Sequence, residues 1–208
     1  MIQVFVGCQP FGANPILDNM HRDRKRVFVD LRRWDIPVLE GEFERDEFDT
    51  PHAIYLVSAG ADGTHQGSFR LLPTDRPHLM GELFADLCDD AVPAGPDIAE
   101  ITRGCLSPSL RAAQRLRVRN SLISAAMQFA MSNGFRYFTG VADSGWLTQL
   151  LAMGWTCELL GTPKLIEGTT TGAIRIPVGP ETVSHLKGAG TWIEPQLSFG
   201  GASSALAA

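Results

Sequence analysis

Residues of the kinds that bind and activate small polar molecules are concentrated in the first half of the chain. Arg24 is followed by the aromatics Phe28 and Trp34, then by Asp46 and Asp49, then by Arg70; a second acid and base, Glu100 and Arg103, come later. Arginines and carboxylates pair through parallel charge-assisted hydrogen bonds, so this set can form either a cage or a collection of surface ion pairs, each contributing little to stability. Aromatics in a charged neighbourhood can enclose a flat or cationic ligand, or merely staple a helix to a loop. Further on, Arg111, Arg115, Arg117 and Arg119 form a basic cluster that suits a phosphate, an acidic protein surface, or simply solvent. No nucleophile stands beside His21, His52, His65, His78 or His185 in sequence, so no Ser-His-Asp or Cys-His arrangement is evident and each histidine reads as structural or exposed. Cys8, Cys88, Cys105 and Cys157 are scattered, with no Cys-x-x-Cys pair and no histidine at metal-ligand spacing, which predicts reduced structural thiols and no metal site.

These residues have to be positioned by a recognisable set of elements. Pro15 to Leu31 has the spacing of an amphipathic helix with an irregular middle and an arginine-rich polar face. Asp35 to Pro51 reads as a long loop of the sort that covers a ligand. Ala53 to Ala59 and Gln66 to Leu72 read as strands, joined through the turn signal Asp62-Gly63. Asp97 to Thr102 is a short strand in which Glu100 and Arg103 would point to opposite sides unless a bulge intervenes. Val118 to Asn133 is a helix closed by Gly134, Tyr137 to Val141 a buried strand, and Gly145 to Met153 a short helix; Trp155 to Leu160 and Gly172 to Ile176 are further strands.

The chain of 208 residues, 44% hydrophobic, is of a size for one α/β domain over residues 1–197, with 198–208 as a disordered tail. No apolar run approaches the ~18 residues that span a bilayer, and Met1 leads into a strand-like segment without the layout of a signal peptide, which places the protein in the cytoplasm. A net charge of −5 argues against nucleic acid as a partner. Nothing in the sequence marks an oligomer seam.

In order and spacing, Arg24, Phe28, Trp34, Asp46, Asp49, Arg70, Glu100 and Arg103 resemble the signature positions of LuxI-type acyl-homoserine-lactone synthases, each filled by the expected residue. Phe69-Arg70-Leu71-Leu72-Pro73-Thr74, followed by Pro77, Leu79, Met80 and Phe84, is similar to the family's most recognisable stretch, and the likeness runs from about Met20 to Trp155. Around Glu100 the chain departs from the pattern: Ile101-Thr102-Arg103-Gly104-Cys105 stands where many members carry Ser-Arg-Phe. The resemblance implies a fold like the GCN5-related N-acetyltransferases, a mixed twisted sheet packed by helices, with a V-shaped gap between two strands for an acyl-phosphopantetheine arm. The Gln-x-x-Gly-x-Gly turn of those acetyltransferases is absent, since Gln114 to Arg119 contains no glycine.

The activity implied is transfer of an acyl group from an acyl carrier protein or acyl-CoA thioester to the amine of S-adenosylmethionine, followed by lactonisation. Both nucleophiles belong to the substrate. The resemblance assigns catalytic roles to Arg24, Asp46, Asp49, Arg70, Glu100 and Arg103, with Glu100 as general base and Arg103 positioning the methionine carboxylate. Phe28 and Trp34, with Arg24, Asp46 and Arg103, would bind S-adenosylmethionine, and no metal is required. Met80, Leu83, Phe84, Met127, Phe138, Ala142 and Leu151 are candidates to line the acyl tunnel; Ala142, at the position where a threonine accompanies 3-oxo chains, predicts an unsubstituted chain. Arg111, Arg115, Arg117 and Arg119 are candidates for the phosphopantetheine or carrier-protein contact. Two other readings remain: a related N-acyltransferase acting on another amine, and a non-catalytic sensor of S-adenosylmethionine or acyl chains.

Overall fold

The structure, a computed structural model, describes residues 1–200. The described residues divide into two compact units, each assembled from separated stretches: Met1–Leu71, Arg103–Ala126 and 194–200, and Leu72–Thr102 with Met127–Ile193. The elements run β1 (Ile2–Val6), α1 (Pro15–Arg24), β2 (Val38–Leu39), β3 (Phe43–Glu44), β4 (Ile54–Ala59), β5 (His65–Pro73), α2 (Leu79–Leu83) and β6 (Ile98–Leu106). There follow α3 (Ala112–Ser132), β7 (Tyr137–Asp143), α4 (Ser144–Ala152), β8 (Glu158–Leu159), β9 (Lys164–Ile166), β10 (Thr169–Pro177), α5 (Pro180–Gly188) and β11 (Leu197–Phe199).

In the first unit β4 is central, pairing antiparallel with β1 and with β5, and β11 joins the far side of β1 in parallel. Ser198 and Phe199, expected to lie in a disordered tail, belong instead to the paired strand β11, and 201–208 lie outside the described residues. Asn14 caps α1 by accepting from the Ile16 N–H at 3.0 Å, and Pro15, which has no N–H to satisfy, occupies the first turn. The helix expected over Pro15 to Leu31 is α-helical to Arg24, and its irregularity falls not in the middle but in the last seven residues, the π-helical segment Lys25–Leu31, of the kind that often marks functional sites. Gly67 lets α3 approach β5: a Cβ there would lie 2.8 Å from Leu106, 2.9 Å from Val118 and 3.0 Å from Leu122.

In the second unit β7 pairs with β10 along its whole length, and β8 and β9 add to the other edge of β10. The parallel pair β6 and β7 behaves differently. Ile98, Ala99 and Glu100 stand opposite Tyr137, Phe138 and Thr139, and the register ends there although both strands continue. The expected strand Trp155 to Leu160 shrinks to two residues, whereas β6 runs beyond Thr102 and α3 starts six residues before Val118. Among the described residues no helix is long and apolar enough to cross a membrane.

Candidate active site

The loop after Trp34 is not structureless. The β2–β3 hairpin turns it back on itself, Val38 opposite Glu44, and buries Glu44 completely. The residues that follow bring Asp46 and Asp49 toward arginines from three other elements. Arg24, at the end of α1, makes a bidentate contact with Asp49, both bonds 2.9 Å, and a further one from Nε to Glu44. Arg70 on β5 reaches Asp46 at 2.5 and 3.0 Å and Asp49 at 3.1 Å. Arg103 on β6 donates to Glu44 at 3.1 Å and to Asp46 at 2.5 Å. Three guanidiniums thus meet three carboxylates, all almost fully buried. Such a set is tolerable away from water only because each charge has partners.

Further hydrogen bonds fasten the cage. Tyr55 donates its hydroxyl to Asp49 at 2.8 Å, the Asp46 N–H donates to Asp49 at 2.9 Å, and the Phe48 N–H to Asp46 at 2.9 Å. Burial pushes the Asp49 carboxyl up, but Arg24 and Arg70 outweigh it and hold the group well below the usual carboxylate range. His21 lies 2.8 Å from the Glu44 carbonyl oxygen through Nδ1; burial and the neighbouring Arg24 charge push its pKa down to about 4, so it is neutral at pH 7 and donates there. Glu44 was not singled out in the sequence, where it is one of several acids in the loop.

Phe28 and Trp34 stack on one another, centroids 4.9 Å apart and planes 12° from parallel, and the Trp34 N–H donates to the Phe28 carbonyl at 2.9 Å. Arg33, at φ 62°, makes the left-handed turn that brings the indole back over the ring. Arg103 lies over both rings, 5.7 and 5.9 Å from their centroids. Phe28 is buried while Trp34 is 36% exposed, so of the two only the indole offers a substantial face to a ligand. Arg103 itself has φ 49°, a rare conformation for a residue with a side chain.

Glu100 belongs to the second unit. It is fully buried, and its Oε1 accepts the Met80 N–H at 3.0 Å. Met80 forms an apolar cluster with Leu87 and Ala173, against which Phe84, Cys88, Val92, Val141, Leu160 and Ile166 pack. Met80 and Phe84 of the expected acyl lining are thus together. Phe138 and Ala142 are buried but, by strand alternation, point to the opposite face of β7 from Val141; Phe138 packs against Trp155, centroids 6.4 Å apart. Met127 is buried in α3. Leu151 and Leu83 are corrections: both are more than half exposed, because α4 buries Leu150 and α2 buries Met80 instead.

The basic cluster resolves into a row and an outlier. Arg111 precedes α3 in the place of a residue four before Arg115, and Arg119 follows four later, whereas Arg117 falls on another side of the helix. Arg115 donates to the Ser107 carbonyl at 3.2 Å, and Arg119, half-buried, to Asn120. A serine, a histidine and an aspartate do meet, contrary to the sequence reading: His65 is 2.9 Å from Asp23 and 3.1 Å from Ser68. All three are buried, so the trio ties α1 to β5 rather than exposing a nucleophile. His21 and His78 are also buried, and His52 and His185 exposed. The four cysteines are free thiols.

A family model described as autoinducer synthase matches residues 12–186. An acyl-homoserine-lactone synthase from Acinetobacter nosocomialis is 30% identical over 184 residues, covering 85% of this chain and 100% of the relative. Among solved structures, the CoA-dependent acyl-homoserine lactone synthase MesI is 28% identical with a TM-score of 0.79, covering 95% of this chain and 99% of that one. The structure of the CoA-dependent synthase BjaI with SAM and isopentyl-CoA has a TM-score of 0.83 over 95% of this chain and 93% of its own; at 24% identity it speaks for the fold.

Proposed function

The chain belongs to the autoinducer synthase family, and on that premise we propose that it makes an acyl-homoserine lactone from S-adenosylmethionine and an acyl thioester. The observation that carries this reading is Glu100: a carboxylate buried at the last paired position before β6 and β7 part, held by the Met80 N–H and bordered by apolar side chains. The α-amino group of S-adenosylmethionine, with an ordinary pKa of about 8, must lose a proton before it can attack a thioester. Glu100 takes that proton. The amine nitrogen bonds to the acyl carbon and the thiol leaves; the methionine carboxylate then attacks the carbon beside the sulfonium, closing the lactone and releasing methylthioadenosine. The second step needs orientation more than acid–base help, because the sulfonium is already a good leaving group.

The cage around Arg24, Asp46, Asp49 and Arg70 shapes the wall against which S-adenosylmethionine lies. Its carboxylates are engaged by arginines, so they do not trap the ammonium form that must be deprotonated. Trp34 offers a π face to the sulfonium or the adenine. Arg103, satisfied by Glu44 and Asp46, is a weak grip for the methionine carboxylate and leaves it nucleophilic. Met80 and Phe84 border the acyl chain. The donor is an acyl thioester; the CoA dependence of MesI and BjaI favours an acyl-CoA, whose phosphates would meet Arg111, Arg115 and Arg119.

Incubation with S-adenosylmethionine and a panel of acyl-CoA and acyl-carrier-protein donors tests the reading. Stoichiometric methylthioadenosine and acyl-homoserine lactone are expected from at least one donor. Acylation of other amines without methylthioadenosine would make the chain an ordinary N-acyltransferase, and tight S-adenosylmethionine binding without turnover would make it a sensor.

A further inference from the structure

Thr139 is a polar residue for which neither the cage nor the proton transfer has any use. It is completely buried, and among the described residues its Oγ1 is the one buried side-chain hydroxyl without a hydrogen-bond partner. An unsatisfied hydroxyl away from water is costly, so such an atom needs an explanation. Its place supplies one. Thr139 stands opposite Glu100 in the last register pair of β6 and β7. One residue further, a Cβ on Gly140 would lie 3.2 Å from the Ile101 carbonyl oxygen, and from there on the strands make no ladder. On β7, Thr139 shares a face with Val141 of the Met80 cluster, not with Phe138 and Ala142.

We infer that the Thr139 hydroxyl donates a hydrogen bond to the thioester carbonyl oxygen during acyl transfer, an inference that rests on the acyl-homoserine-lactone reading above. The complementarity follows from charge. At the reacting centre the amine is the donor and faces the base, Glu100; the carbonyl oxygen is the acceptor and gains negative charge as the C–N bond forms and the C=O π pair moves onto it. A donor beside the base is placed for that oxygen. When the intermediate collapses, the pair returns and the C–S bond breaks; of the two protons that the ammonium nitrogen gives up on becoming an amide, one passes through Glu100 to solvent and the other leaves with the thiolate. A donor that strengthens as the oxygen becomes anionic stabilises the transition state more than the bound thioester, so its loss acts on kcat.

The test compares Thr139→Val, which keeps the shape and removes the hydroxyl, with Thr139→Ser, which keeps the hydroxyl. The acyl donor is an unsubstituted octanoyl thioester, which has no oxygen at the third carbon. Thr139→Val should lower kcat about 10²-fold with KM for both substrates within threefold of wild type and the pH profile unmoved, because Glu100 is intact; Thr139→Ser should restore at least a tenth of the wild-type rate. A Thr139→Val enzyme within threefold of wild type in kcat would overturn the inference, as would a serine variant as slow as the valine one, or a loss confined to 3-oxo donors. Should both variants lose S-adenosylmethionine binding as well, the hydroxyl has a structural role and the inference is wrong. If the wild-type protein makes no lactone from any donor, the functional reading fails and takes the inference with it; if wild type turns over and Thr139→Val does so equally well, the inference alone fails.

Discussion

In the first unit three buried arginines meet Glu44, Asp46 and Asp49, and each guanidinium touches two of the acids. In the second, Glu100 and Thr139 form a register pair of β6 and β7, and Glu100 accepts the N–H of Met80, whose apolar cluster includes Val141 and Ala173. One region satisfies its charges among its own side chains, and in the other the proposed function assigns them to a substrate. Charged residues therefore fall into two classes that a sequence motif does not separate: those that hold a shape and those that do chemistry. Substitutions in the two regions should fail in different ways, the first by loss of fold and the second by loss of rate.

The largest effect is expected at Glu100. Glu100→Gln keeps an acceptor for the Met80 N–H and removes the base, so kcat should fall about 10²- to 10⁴-fold with an unchanged urea midpoint; near-normal turnover would break the contrast. Asp49→Ala should do the reverse. It strands Arg24 and Arg70, and breaking a buried pair costs about 3–5 kcal/mol, read as a lower urea midpoint whether or not substrate is present.

A pH dependence sharpens the same contrast. His21 stays neutral in the fold down to about pH 4, whereas in the unfolded chain it takes up a proton near its ordinary 6.5. Between these values unfolding binds a proton, so stability falls as the pH falls, by about 3 kcal/mol in all. Below pH 4 Asp49, held well below its ordinary value, adds a further loss as its carboxylate is protonated. Urea midpoints from pH 7 to 4.5 should decline, and His21→Asn should flatten that decline. Smaller effects lie at the half-exposed groups. Trp34→Ala should raise KM for S-adenosylmethionine about fivefold, from ~1 kcal/mol of ring contact, with little change in kcat. Arg115→Glu should raise KM for an acyl-CoA about threefold at low salt and less at high salt.

Much of this was legible because residue type and spacing survive in a linear string. Arg24, Asp46, Asp49, Arg70 and Arg103 could be named in advance, and the first helix was expected over the right residues although its π-helical part lies at its end, Lys25–Leu31, and not in its middle. Glu44 was not legible: Glu40, Glu42, Glu44 and Glu47 look alike in a loop, and only the β2–β3 hairpin turns one of them inward. Leu151 was misplaced because neighbours on a helix differ by 100°, and Leu150 took the buried position. The meeting of Asp23, His65 and Ser68 joins α1 to β5 across a long stretch of sequence, which no spacing rule reaches. What distinguishes Thr139 is its missing partner, which only the packing reveals.

The central claim is that the amine of S-adenosylmethionine is the acyl acceptor. S-adenosylmethionine labelled with nitrogen-15 at the α-amino group, incubated with the protein and an acyl thioester, should yield a lactone carrying the label in its amide, together with one methylthioadenosine per lactone. Methylthioadenosine absent and the label still in unreacted S-adenosylmethionine, with every donor supplied, would contradict it.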